Sequence, residues 1–205
     1  MHSPRTCCSL SAPARAARAL RAAGMAWALA AWPAAGTAQQ PVAPAVAPGA
    51  LQPMAALDLP RYMGRWHELA RYPNRFQRQC TGATTADYAL LADGGVQVSN
   101  RCGLADGGTE QATGRARAVG PAGTARLQVR FAPAWLAWLP QVWGDYWVVD
   151  LDADYRVAIV SEPQREYLWV LSRTPQLDEA GWQRITARLL ALGFDPARLQ
   201  RAAAP

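Results

Sequence analysis

The feature that most constrains the fold is a series of eight short runs rich in aromatic and β-branched residues, beginning at residue 64. Runs of this kind, separated by turn signals, predict antiparallel strands. Tight turns at 92–95, 120–123 and 152–155 alternate with longer connections. In an up-and-down sheet the tight turns then share one end, a floor, and the longer loops share the other, a mouth. The runs cover residues 64–72, 82–91, 95–102, 109–119, 124–132, 144–151, 155–161 and 166–173.

The fold class predicted from this pattern is all-β. Eight antiparallel up-and-down strands close into a barrel just wide enough for one small ligand. The segment after the last strand predicts one C-terminal α-helix, because Ile185, Leu189 and Leu192 recur at helical spacing and Gly193 can end the helix. The helix must bury its apolar stripe, so we expect it to pack outside, on the barrel wall.

The N-terminal region is predicted to lie outside the barrel domain. Residues 1–24 contain four arginines and no acid, and residues 25–35 are apolar but too few to span a bilayer. Small residues at 36–38 follow, which is typical of a secretory signal peptide over residues 1–38. Met25 is the alternative start, although it would discard the arginines. Residues 39–56, rich in Pro and Ala and uncharged, predict an extended linker, and the domain is then 57–205.

Charge and export restrict the partners. The formal net charge of +6 falls to +2 once the four leader arginines are removed. Charges of both signs are spread along the rest of the chain, so no nucleic-acid partner is expected. The leader predicts a periplasmic or secreted protein, with outer-membrane association left open. No cysteine follows the apolar run, so the sequence does not predict a lipoprotein.

The domain contains two of the four cysteines, Cys80 and Cys102, and an exported protein can join such a pair in one disulfide. Both lie at the mouth, but strict hairpin register would offset them, so the bond requires a bent loop or a bulge. After leader removal His67 is the one remaining imidazole, which argues against a metal site, a cofactor and a serine-histidine hydrolase.

The floor is predicted to be sealed by a tryptophan. Trp66 lies at the floor end of the first run, and Gly64 lets the backbone pass close beneath the indole. The eighth run brings Arg173 to the same end, where a guanidinium on an indole face is worth about 0.5–2 kcal/mol. Glu68 shares the parity of Trp66 and should face inward, so it needs a partner, which the sequence does not identify.

The chain resembles the lipocalins in three segments that occur in order. They are Gly64-x-Trp66 in the first run, GDYWVVDLDADY at 144–155, and Arg173 at the end of the eighth run. The resemblance extends over residues 58–204 and is greatest to the bacterial, apolipoprotein D-like branch. It implies an eight-stranded calyx that binds fatty acids, lysophospholipids or similar lipids without catalysis. Several bacterial members are outer-membrane lipoproteins, and the missing cysteine is a departure from them.

Candidate ligand contacts come from two sources. Strand parity in the fifth run turns Leu127, Val129 and Phe131 inward, since Arg126, Gln128 and Arg130 alternate with them. The resemblance adds four positions that match ligand-facing residues of the apolipoprotein D pattern: Tyr88, Asn100, Trp147 and Val149. Plain barrel core is the alternative for the apolar members of both sets.

The loop at 132–143 is apolar, uncharged and rich in tryptophan. An apolar tip of this kind is unusual in water. We expect Trp135, Leu136, Trp138 and Leu139 to form either a lid over the mouth, a contact with a membrane surface, or a homodimer contact.

The predicted function is therefore binding and transport or storage of one small hydrophobic ligand, in envelope or membrane maintenance, and not catalysis. Two alternatives stay open. One is a protein-interaction module that uses the apolar mouth loop, with its barrel filled by its own side chains. The other is an enzyme on the lipocalin fold.

Overall fold

The computed structural model describes residues 49–202 of the 205-residue chain. A helix of four residues, α1 (Leu59–Tyr62), precedes the barrel, and a helix of 13 residues, α2 (Glu179–Ala191), follows it. The predicted signal peptide, residues 1–38, and residues 39–48 of the predicted linker lie outside the described residues. The barrel strands are β1 (Gly64–Arg71), β2 (Thr84–Leu90), β3 (Val96–Gly103), β4 (Thr109–Ala118), β5 (Arg126–Arg130), β6 (Gly144–Leu151), β7 (Val157–Ser161) and β8 (Leu168–Ser172).

The sheet closes on itself. Each strand pairs antiparallel with the next along the chain, and β1 pairs with both β8 and β2. A short ninth strand, β9 (Gln200–Arg201), adds to β1 outside the ring. The predicted eight-stranded up-and-down barrel with one C-terminal helix is therefore confirmed; α1 and β9 were not predicted.

One buried apolar cluster lies inside the barrel, and a second lies on its outer wall. Inside, Trp66, Val98, Leu127 and Leu171 belong to one buried cluster. Outside, Ile185 and Leu189 of α2 pack with residues of β6, β7 and β8 in a second cluster. The helix therefore lies where its apolar stripe predicts. Its start is capped by the Asp178 side chain, which accepts a hydrogen bond of 2.7 Å from the Gly181 amide.

Residues 49–56 correct the predicted linker, because they pack against the barrel rather than extend away from it. Leu51 is buried in the outer cluster. The Met54 amide donates to the Val148 carbonyl at 2.9 Å, and the Arg165 guanidinium donates to the Gly49 carbonyl at 2.8 Å. A few apolar side chains suffice to hold a Pro-rich segment once a wall is present, and composition alone does not reveal that wall.

Within residues 49–202, neither helix is long and apolar enough to cross a membrane.

Candidate functional site

The barrel encloses a cavity of about 770 Å³ that opens at the mouth. Its size lies within the range of about 300–1,000 Å³ typical of small-molecule sites. The surface of the wall is mainly apolar, although polar side chains such as Glu68, Thr84 and Asn100 also line it. Four of the predicted contacts lie on this wall: Tyr88, Asn100, Val129 and Phe131. Their contact with a ligand remains a prediction.

Trp147 and Val149 do not face the cavity, which corrects their placement. Both belong to the outer cluster that packs beneath α2. Their neighbours Tyr146 and Val148 face inward instead. The segment from Tyr146 to Val149 is apolar on both faces because the helix covers the outer one, so alternation of polarity carries no information about phase there.

The floor is built as predicted and is reinforced by α1. The Trp66 side chain is fully buried, and its Nε1 donates to the Tyr62 carbonyl at 2.8 Å. Arg173 lies over the indole with its guanidinium carbon 3.8 Å from the ring centroid. Gly64 has a φ of +91°, a conformation that favours glycine, and a Cβ there would lie 3.4 Å from the Arg173 Nη1.

Next to the indole, three tyrosine hydroxyls meet inside the cavity. The hydroxyl of Tyr146 lies 2.8 Å from that of Tyr62 and 3.1 Å from that of Tyr88. All three rings line the cavity. Burial raises the pKa of Tyr88 to about 12 and holds the pKa values of Tyr62 and Tyr146 well above their usual range, so all three stay neutral at physiological pH. Sequence reasoning missed Tyr62, which lies in a helix of only four residues, and Tyr146, which lies in the segment of β6 where polarity does not show the phase.

Near the mouth, Glu68 has the partner that the sequence left open. Its Oε1 accepts from Arg71 at 2.6 Å and its Oε2 accepts from Gln77 at 2.7 Å. A register shift between Glu68 and Ala70 breaks the alternation of β1, so that residues three apart both turn inward. Arg71 also donates to the Cys80 carbonyl, and Trp169 donates to Gln77. Burial raises the pKa of the Glu68 carboxyl although Gln77 and Arg71 each lower it.

The disulfide between Cys80 and Cys102 is formed, and its Cα atoms are 5.4 Å apart. The offset expected from hairpin register is removed by a bend before β2. The amides of Thr81 and Gly82 both donate to the Gly103 carbonyl at 3.0 Å. A Cβ at Gly82 would lie 3.0 Å from the Gly103 Cα, so this approach of two backbones requires glycine.

Two buried polar atoms of the cavity wall have no hydrogen-bond partner among residues 49–202. They are the Thr84 Oγ1 on β2 and the Asn100 Oδ1 on β3. Buried polar groups are rarely left unpaired. A ligand hydroxyl or a solvent molecule that donates a hydrogen bond in the cavity would satisfy them.

The loop between β5 and β6 carries the predicted apolar tip. Trp135 and Trp138 are 73% and 76% exposed, while Leu136 and Leu139 are partly buried. The later part of the loop contributes Val142 and Trp143 to the cavity lining. The two exposed indoles therefore lie beside the entrance and point to solvent.

Within the described part of the chain, no group of three or more His, Cys, Asp or Glu side chains is placed to hold a metal ion.

Comparison with known proteins agrees with this geometry. The model of a family described as a lipocalin-like domain matches residues 57–204. Temperature-induced lipocalin-1 of Arabidopsis thaliana is 37% identical over 153 residues, which cover 74% of this chain and 81% of that protein. The outer membrane lipoprotein Blc of Escherichia coli K12 is 39% identical over 139 residues, covering 67% of this chain and 74% of that protein.

More distant similarity extends to apolipoprotein D of Mus musculus, which is 27% identical over 126 residues, covering 58% of this chain and 62% of that protein. Among solved structures, insecticyanin of the tobacco hornworm Manduca sexta gives a TM-score of 0.58 at 19% identity and covers 75% of this chain and 84% of that chain. At that identity the structural match supports the fold alone.

Proposed function

This chain belongs to the lipocalin family, and from that premise we propose that its barrel binds one hydrophobic molecule, a fatty acid or a lysophospholipid, for transport or storage in the cell envelope. The observation that carries the proposal is the cavity of about 770 Å³, lined by Val98, Leu127, Val129 and Leu171 and open at the mouth. An apolar chain that enters it leaves water for an apolar wall, which is favourable by about 25 cal/mol per Å² buried.

A matched pair of β5 variants tests this proposal. Val129→Trp places an indole inside the cavity, whereas Gln128→Trp places one on the outside of the same strand, because the two positions alternate. We expect a fluorescent fatty acid to be displaced by unlabelled lipid from wild type and from Gln128→Trp. We expect at least a tenfold weaker affinity for Val129→Trp. Equal affinity of the two variants would contradict binding in the barrel.

The proposal is of a binding protein and not of an enzyme. If the barrel bound no lipid while a protein partner bound at the mouth loop, the interaction-module alternative would hold. Recovery of a chemically altered lipid after incubation would favour the enzyme alternative. Mass analysis of lipid before and after incubation distinguishes these outcomes.

We also propose a periplasmic or secreted location, possible only if the predicted leader is cleaved. Several relatives are named outer membrane lipoproteins. Absence of a lipid anchor in this chain therefore stays a prediction, and the intact mass of protein extracted from its native envelope tests it directly.

A second role is supported by the loop that carries the two exposed tryptophans. We propose that Trp135 and Trp138 dock on a membrane surface, where indole rings are favoured. A cation lies beside them. The guanidinium carbon of Arg117 is 3.9 Å from the centroid of the Trp143 ring, and Arg117 lines a small surface pocket together with Trp138. Indole and guanidinium side by side match the apolar and phosphate layers of a lipid surface. Docking there would bring the barrel entrance close to lipid.

The double variant Trp135→Gln/Trp138→Gln tests the docking role on vesicles of phosphatidylethanolamine and phosphatidylglycerol. We expect it to sediment with vesicles several-fold less than wild type. Leu190→Gln, which changes an apolar side chain that is 60% exposed on α2, is the control and should bind as wild type does. Unchanged sedimentation of the double variant would contradict docking. Loss of a dimer in the double variant would assign the loop to self-association instead.

A further inference from the structure

The three tyrosine hydroxyls at the bottom of the cavity have more hydrogen-bonding capacity than they use on one another. Each phenol supplies one O–H donor and an acceptor oxygen. The two contacts of Tyr146, with Tyr62 and with Tyr88, use two of the three O–H groups. Among residues 49–202 these hydroxyls make no other hydrogen bond, so one O–H is left over.

The surplus donor lies where a ligand would end. Tyr62, Tyr88 and Tyr146 all line the cavity, and Tyr62 packs against the sealing indole with ring centroids 4.9 Å apart. The hydroxyl cluster is therefore next to the floor. Around it the wall is apolar, with Val96, Val98 and Leu127 in the same buried cluster. An O–H that has no acceptor in such surroundings is costly, and a ligand oxygen that accepts from it would relieve that cost.

We propose that this tyrosine cluster is an anchor for the buried end of the ligand, and that this end carries a neutral oxygen, as in an alcohol, a ketone or an ester. The inference rests on the proposed function, the binding of one hydrophobic molecule in the barrel, and within that function it favours a ligand with a neutral oxygen at its buried end, such as a protonated fatty acid, over a lysophospholipid with its charged headgroup. A molecule of this kind binds with its oxygen at the floor, and its hydrocarbon chain extends along the wall towards the mouth.

The surroundings of the cluster disfavour an ionised end. Arg173 is the nearby cation, and it favours a negative charge at Tyr62 and Tyr88, yet burial outweighs it and raises both pKa values. The three guanidinium nitrogens also have partners already, since they donate to the carbonyls of Arg61, Arg65 and Tyr155. A carboxylate at the cluster would meet the same burial cost as a phenolate. A fatty acid would therefore place its acid group at the cluster only in the protonated form.

The test compares wild type with the triple variant Tyr62→Phe/Tyr88→Phe/Tyr146→Phe. All rings are kept and all three hydroxyls are removed together, so no hydroxyl loses a partner while remaining buried. The ligands are tetradecanol and pentadecane, which have the same number of heavy atoms. Comparing the alcohol-to-hydrocarbon affinity ratio between proteins cancels the cost of removing the alcohol from water.

We expect the ratio to fall by about 3- to 10-fold in the triple variant, the worth of one hydrogen bond. Hydrocarbon affinity should stay within twofold of wild type. Tyr167→Phe, which removes a hydroxyl at the mouth, is the control and should leave the ratio unchanged. An unchanged ratio in the triple variant would overturn the anchor, and a ratio lowered instead by Asn100→Leu would move the oxygen site to β3.

A second measurement does not depend on affinity. The carbonyl stretch of bound tetradecan-2-one, isotopically labelled at the carbonyl carbon, should lie at lower frequency in wild type than in the triple variant. The reason is that a hydrogen bond to the carbonyl oxygen weakens the C=O bond. Equal frequencies would contradict the anchor. Failure of every ligand to titrate would instead contradict the proposed function, and circular dichroism of the triple variant separates both outcomes from unfolding.

Discussion

Arg173 stabilises the floor by two kinds of contact at once. Its plane covers the Trp66 indole, and its three nitrogens donate to three backbone carbonyls at 2.8–3.2 Å. Those carbonyls belong to Arg61, Arg65 and Tyr155, and so join α1, β1 and the turn before β7. The residue therefore holds three segments of chain beneath the cavity.

Arg173→Met keeps the apolar stem and removes the guanidinium. We expect it to lower the free energy of unfolding by about 2–4 kcal/mol, from the cation–π pair and the lost charged hydrogen bonds. Urea unfolding followed by tryptophan fluorescence measures the change. Arg156→Met, an exposed arginine at the same end of the barrel, is the control. Equal stability of the two variants would show that Arg173 does not seal the floor.

Glu68 makes stability depend on pH. Burial raises the pKa of this carboxyl from its ordinary value of 4.5. The folded state then binds more protons than the unfolded state in the window above pH 4.5, so the free energy of unfolding from this group falls as pH rises through its folded pKa.

Between pH 4.5 and neutrality, wild type should therefore lose stability relative to Glu68→Gln. Urea unfolding of both proteins at several pH values measures the difference, and Glu110→Gln, an exposed carboxyl, is the control. If the stability of wild type instead increased relative to that of Glu68→Gln as pH rises, the ion pair with Arg71 would outweigh the cost of burial.

Which single residues could be predicted depended on whether both faces of a strand are apolar. In β5, polar side chains alternate with apolar ones, so Val129 was placed on the cavity wall correctly, and Phe131, the residue after β5, also lines the cavity although it is 45% exposed. In β6, the outer face is covered by α2, so polarity offered no check on the match to the apolipoprotein D pattern, which placed Trp147 and Val149 on the wrong side. The partner of Glu68 was out of reach because a register shift in β1 has no mark in the sequence.

At the scale of elements, the disulfide ties the start of β2 to the end of β3 at the mouth. The two cysteines are 22 residues apart, and closing a loop of that length is worth about 3 kcal/mol in the chain-entropy account. The bend at Gly82 makes the bond possible, and a bend of this kind depends on backbone contacts that composition does not reveal.

Cys80→Ser/Cys102→Ser should therefore lower the free energy of unfolding by about 3 kcal/mol. Denaturant unfolding with and without reductant measures the change. Reductant should bring wild type to the level of the double variant and leave the variant unaffected. Full reduction of wild type is verified by mass. If its free energy of unfolding then stays unchanged, the disulfide does not stabilise the fold.

The elements that sequence patterns missed are those too short to have a period. Helix α1 spans four residues and β9 two, and both are held by the barrel rather than by their own propensity. The apolar β5–β6 loop was identified from composition. The sequence left open whether it forms a lid, a membrane contact or a dimer contact, since burial depends on whether neighbouring strands reach over it.

At the scale of the whole molecule, the barrel followed from spacing and turns because closure needs only strand number and alternation. The arrangement of side chains inside the barrel could not be predicted in this way. The hydroxyl cluster combines Tyr62 from α1, Tyr88 from β2 and Tyr146 from β6, positions up to 84 residues apart. Such a cluster exists only after the sheet has closed.

The most direct test of the account is a methyl-resolved NMR titration of wild type with tetradecanol. We expect one ligand per chain and intermolecular contacts to the interior methyl groups of Val98, Leu127 and Leu171, with no contacts to Val149 and Leu189 on the outer wall. Contacts confined to the outer wall, or an interior that remains unperturbed at saturation, would contradict it.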